Sequence, residues 1–385
     1  MIVKKLRAIA VALVVGTAAA ATVGTLTITP AYAAGIRPAV GDPLKAAISA
    51  ANDGNYSEAM AKVKEAQSVG GLSPEEQKTI AKVKEFIAVK SGGTVGGLMN
   101  ATVAKARLAN DWHARKYRDV INDADLLRKY GALDGQTQEV IAQAYYMSGD
   151  YQGCARYVRD NGLSGKDMLE LEMRCGYEAH DSATERAALE ELVVTTKSPE
   201  YWNQLLKLSQ DSPHLSDEES LDIYKVRYLL GMMNSPEDYF TLATYDILYG
   251  LGDDAVAVVQ KGMQAKVLND SRSQRLLATA KKTQADEHAG LAAFEKEAHG
   301  APNGDKLVKL GLQYAGMGRY DDAVNAIEQG LKKGLTSADD GEIALGQALL
   351  GAGRKDDALR AFSKAKQTPN GKMIGTLWSI YARTH

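Results

Sequence analysis

Apolar residues recur along most of the chain at spacings of three and four, with charged and amide residues between them, which is the period of amphipathic helices. No run of strict apolar–polar alternation long enough for a strand competes with that pattern. Helix-start signals punctuate it. Ser73-Pro74-Glu75-Glu76, Ser198-Pro199-Glu200 and Ser235-Pro236-Glu237 each place a capping hydroxyl, a first-turn proline and an acid at the positive helix end. Ser216 followed by Glu219 is the reciprocal capping arrangement. These features predict an all-α fold.

The pattern also repeats. Residues 307–334 (LVKLGLQYAGMGRYDDAVNAIEQGLKKG) return at 343–369 (IALGQALLGAGRKDDALRAFSKAKQTP). Leu310-Gly311 maps onto Leu345-Gly346, Gly318 onto Gly353, Ala323 onto Ala358 and Ile327 onto Phe362, an offset of 35 in each case. Small residues at Gly311 and Ala323 let two antiparallel helices approach closely, and Gly318 releases the chain at the turn between them. One such hairpin cannot bury its own apolar face, so units of this kind are stable only when stacked. Weaker copies place Ala50, Gly54, Tyr56, Ala59 and Val63 at the same spacing, then Ala142, Tyr145, Gly149, Tyr151 and Cys154, and 34 residues later Cys175-Gly176 and Ala188. A doublet with an offset of 37 joins SPEYWNQL (198–205) to SPEDYFTL (235–242).

The unit resembles the tetratricopeptide repeat, in which a large residue and Leu-Gly-x-x-Tyr on a first helix precede Gly-x-Tyr-x-x-Ala and an aromatic on a second. Residues 307–330 depart from it only at Ile327 and Gly330, and residues 343–369 nearly match. The resemblance implies a right-handed superhelical solenoid of nine or ten helical hairpins, ending in an amphipathic helix over Met373–His385. It divides the chain into 34–130, a central degenerate array at 131–300, and a C-terminal pair with its capping helix at 301–385. The stretches 74–130 and 205–232 depart most from the pattern and are expected to be helical.

The first residues belong to a different class. Lys4, Lys5 and Arg7 precede an apolar stretch from Ala8 to about Gly24, and Ala31-Tyr32-Ala33 follows. Basic, apolar, then small-x-small is the layout of a cleaved export signal, with the cut expected at Ala33/Ala34. The apolar core is short for a membrane span and no second apolar segment follows. Cleavage would remove three of the 46 basic residues and none of the 48 acidic ones, moving the net charge from −2 to −5. That balance gives no reason to expect nucleic acid or an anionic membrane as a partner.

Candidate chemistry is sparse. The repeat register places Cys154 on the second helix of one hairpin and Cys175 on the first helix of the next, and those helices neighbour one another in such arrays. In an oxidising compartment the pair would form a disulfide; the alternative is two small apolar residues in helix contacts. The six histidines show no metal-ligand spacing, so neither a metal nor a cofactor is expected. The glycine-rich 91–97 lacks the Lys-Ser/Thr of a phosphate loop and reads as a turn. No Gly-x-Ser-x-Gly elbow supports a serine hydrolase.

Eighteen tyrosines stand against four phenylalanines, and several occupy packing positions of the repeat. By the same resemblance, Gln143, Tyr146, Tyr177, Asn203, Lys207 and Phe240 fall on the first-helix face that lines the concave groove. They form either a peptide-binding surface or ordinary helix exterior. The family's Lys/Asn/Arg clamp for a carboxylate-terminated tail is not reproduced.

The expected function is therefore a non-catalytic periplasmic (or secreted) scaffold. Its concave face would hold a peptide or helix of another envelope protein. The alternatives are a part of a secretion or polysaccharide-export machine, or a cell-wall glycan hydrolase of helical-solenoid type, for which no separate catalytic domain is left room.

Overall fold

The computed structural model describes residues 36–385, and the expected export signal lies outside them. The described residues form nineteen α-helices and no strand. Helices pack on their sequence neighbours, the arrangement of an α solenoid. The chain divides into two compact units at Ser164/Gly165, inside the 131–300 stretch.

In the first unit, α1 (Pro38–Asn52) and α2 (Tyr56–Gln67) make a hairpin whose contact is mostly small side chains. Ala47, Ala50, Ala51, Ala59, Val63 and Ala66 are all buried, so the two backbones come close. A single helix, α3 (Pro74–Lys90), covers both; Ser73 and Glu76 exchange bonds across its first turn. The glycine-rich segment 91–97 is the expected loop between α3 and α4 (Ala101–His113). Two hairpins follow: α4 with α5 (Tyr117–Lys129), and α6 (Gly135–Met147) with α7 (Tyr151–Asp160). Leu108, Val120, Leu127 and Ile141 form their common core.

The second unit opens with three hairpins. These are α8 (Lys166–Glu178) with α9 (Ser182–Thr196), α10 (Pro199–Gln210) with α11 (Asp217–Leu229), and α12 (Pro236–Leu248) with α13 (Gly252–Gln264). A thirty-residue helix, α14 (Ser271–Gly300), then runs unbroken. The two repeats read from sequence are α15 (Asp305–Gly316) with α16 (Tyr320–Lys333), and α17 (Ala338–Gly351) with α18 (Lys355–Phe362). Their turns carry Gly318 and Gly353 at the same φ of +75°, the left-handed conformation for which glycine was expected there. Among the described residues this makes eight hairpins, with α3, α14 and the last helix standing alone.

That last helix, α19 (Pro369–Thr384), departs from the expected terminal cap. It packs on α17 and α18 and also on α9 and α11. Met373, Ile374, Leu377, Trp378, Ile380 and Ala382 are all buried, so it is apolar on most of its circumference. A helix of that kind is covered on more than one side. Leu189, Leu206 and Ile223 share one core with Phe362 and Trp378. At its start Asn370 donates to the Pro213 carbonyl at 3.3 Å. The second unit is thus closed upon itself, its last helix seated against its second and fourth. Among the described residues no helix is long and apolar enough to cross a membrane.

Candidate functional site

The six residues expected on a concave face do not share one setting. Gln143 and Tyr146 lie half-buried on α6 in the first unit, where the Tyr146 ring centroid is 5.4 Å from that of Tyr151. In the second unit Tyr177 on α8 is 49% exposed, and Asn203 and Lys207 on α10 are exposed. Between those two helices the Tyr201 hydroxyl donates to the Glu170 carboxylate.

Phe240 is different. It is buried among Leu221, Tyr239 and Val259, and the Arg272 guanidinium lies over its ring at 3.8 Å. The 37-residue doublet sets Phe240 at the position of Asn203, yet one is core and the other surface. The cause is the first turn of α14, which brings Arg272 over the ring and pairs it with Glu237 at 2.7 Å. Phe240 therefore belongs to the core of the second unit and is not part of an open face.

Cys154 and Cys175 form a disulfide.

A second set of residues converges in the second unit, on a cavity of about 590 Å³ lined by α11, α12, α13 and every helix from α15 to α19. Leu242, Val258 and Leu312 give it apolar wall, and Tyr228, Trp378 and Tyr381 give it aromatic wall. Its polar wall is a charge cluster. The Lys225 ammonium lies 3.3 Å from Asp254. Asp246 has no exposed surface, and neither of its carboxylate oxygens has a hydrogen-bond partner. Gln347 lines the cavity and donates its amide to Asp222. The Trp378 indole N–H is a further buried group without an acceptor.

The electrostatics follow from burial. Loss of water raises the Asp246 carboxyl well above its ordinary range; Lys225 opposes the rise and Asp254 adds to it. Burial likewise pushes Asp222 up to about 7, against Lys225 and the Gln347 amide, with Asp340 and Glu219 adding repulsion. Burial alone would lower Lys225, but Asp254, Asp246 and Asp222 outweigh it and hold the ammonium charged. Three carboxyls thus surround one cation, and two of them are held toward the neutral form.

No protein-family model and no curated protein matches this chain. Among the described residues, no group of three or more His, Cys, Asp or Glu side chains is placed to hold a metal ion.

Sequence reasoning missed the cavity. Its one visible signal was Asp246, an acid within the otherwise apolar YFTLATYDIL of α12. A charged residue in such a segment needs either a buried partner or a ligand.

Proposed function

We propose that this chain is an exported, non-catalytic binding protein built from a right-handed array of tetratricopeptide-like hairpins. It holds a peptide or helix of another cell-envelope protein against the first helices of its second unit. The observation that carries this reading is the half-exposed Tyr177 on α8, with Asn203 and Lys207 exposed on α10. A large aromatic left in water, together with an amide and a cation, is the composition of interface anchors. Helices already fixed by their own packing lose little freedom on binding. The disulfide supports an oxidising compartment, as in the periplasm or outside the cell.

The test is crosslinking capture from envelope extract. The bait is the chain without residues 1–33, run beside a Tyr177→Ala, Asn203→Ala, Lys207→Ala variant. A partner held by the first and lost with the second, at equal thermal stability, is the expected result. Equal capture by both would move the interface elsewhere. No specific partner would overturn the reading.

A further inference from the structure

Asp246 is the least explained group in the molecule. An ionised carboxylate without hydrogen-bond donors is costly to bury, and Lys225, the nearby cation, already lies at 3.3 Å from Asp254. The cavity beside it is lined mostly by apolar and aromatic side chains, with Gln347, Lys355 and His385 as its other polar members. An anionic ligand would be repelled by Asp254 and would push Asp246 and Asp222 further toward their neutral forms. A purely apolar ligand would leave Asp246 as it is. A cation satisfies the cluster, and its methylene stem would lie along Leu242, Val258 and Leu312.

We propose that the cavity of the second unit receives an alkylammonium group, its nitrogen donating to Asp246. This deepens the binding-protein reading and rests on it for the existence of a ligand, though not on the Tyr177 face. Two sources carry that chemistry: a free diamine and a lysine side chain of a peptide. Trp378 separates them. Its unpaired indole N–H takes an acceptor, which the backbone carbonyl of a lysyl residue supplies and a diamine lacks.

Binding has a direction with pH. The ammonium pairs with ionised Asp246, so binding strengthens as pH rises through the raised range of the cluster. The groups facing Asp246 are Lys225 and Tyr228 on α11 and Asp254 on α13. Those facing Asp222 are Lys225 and Glu219 on α11, and Asp340 and Gln347 on α17. Lys355 and His385 also line the cavity.

The experiment is calorimetric titration of the disulfide-bonded chain without residues 1–33. The probes are cadaverine, N-acetyl-lysine methylamide and, as the uncharged control, 1-pentanol. Both amines, or one of them, are expected to bind near pH 8 and pentanol is not. Affinity should fall as the pH is lowered through the raised range of the cluster, approaching about tenfold per pH unit for one coupled proton. Asp246→Asn should lower affinity at least tenfold. Lys225→Gln should raise it by freeing Asp254, an effect opposite to general damage and independent of whether the Asp246 variant folds. Trp378→Phe should weaken the lysyl probe alone if a peptide is the natural source.

Silence of both amines near pH 8 would overturn the proposal, as would binding indifferent to Asp246→Asn in a folded variant or equal binding of pentanol. A partner captured through Tyr177 with no amine bound would leave the protein-binding reading standing and remove only the ammonium site.

Discussion

Gly346 lies directly beneath the ring of Phe362. A methyl group placed on the glycine would come within 2.2 Å of a ring carbon, and the ring is itself held by stacking on Trp378, centroids 5.8 Å apart. One repeat earlier the same relationship holds between Gly311 and Ile327, where a methyl would stand 2.4 Å from the isoleucine side chain and 2.9 Å from the Ala323 carbonyl. The 35-residue offset in the sequence is this contact made twice.

Gly346→Ala and Gly311→Ala are therefore expected to lower stability by about 1–3 kcal/mol each, the usual cost of overpacking a filled core. A methyl group on Gly290 in α14 would meet nothing within 4 Å, so Gly290→Ala should raise stability by about 0.5–1 kcal/mol through helix propensity alone. Thermal melts of the three variants check this. A neutral Gly346→Ala would mean that the helices of this hairpin can separate.

That contact also shows what sequence can carry. Hairpin geometry is local: the glycine, the turn at Gly318 or Gly353 and the apolar partner lie within about two helices, so their spacing is legible. Closure of the second unit is not local. Gln347 reaches Asp222 across 125 positions, and nothing in either segment announces the other. The exchange of Asn203 for Phe240 at equivalent doublet positions was visible, but its cause, Arg272 on a later helix, lies outside the repeat. Tyr177, Asn203 and Lys207 were readable as surface because helical period decides exposure. The cavity was not, because eight helices from distant parts of the chain build it.

In the first unit, Glu76 sets an acid limit. Its carboxylate is buried at the start of α3 and accepts from the Arg37 guanidinium and from the backbone N–H groups of Ser73 and Arg37. These bonds, the Arg37 side chain foremost, hold it down at about 2. A lowered carboxyl contributes stability that is present above its ordinary range, and the contribution is lost as pH falls from about 4.5 toward 2. Glu76→Gln should thus be less stable than the native chain near pH 7 and should lose less on acidification. Far-UV circular dichroism during acid titration reads the difference. Parallel curves for the two proteins would exclude this ion pair as the acid-sensitive element.

The Cys154–Cys175 bond is expected to contribute about 3 kcal/mol, the chain-entropy value for a loop of this order. Without reductant, iodoacetamide should add no mass to the native chain; after reduction it should add two carbamidomethyl groups, and the melting temperature should fall. Alkylation of either thiol before reduction would show the bond to be absent from the folded protein.

The cavity carboxyls predict the opposite pH behaviour from Glu76. Asp222 titrates at about 7 in the folded chain against an ordinary value near 4, so the folded state holds its proton more tightly than the unfolded one. Its ionisation therefore penalises folding progressively as pH rises from about 4 to about 7, and the penalty is complete above that. Asp222→Asn keeps an acceptor for the Gln347 amide and removes the charge. It should match the native chain near pH 4 and exceed it near pH 8, by up to about 2 kcal/mol once partial solvent screening is allowed for. Denaturant unfolding at the two pH values decides this. A constant difference between variant and native chain would show that the carboxyl is ionised throughout, and the crowding of three acids around Lys225 would then impose no strain. If the difference grows with pH as expected, cadaverine should shrink it, because a second cation in the cluster stabilises the ionised acids of the native chain and has less to gain from the variant.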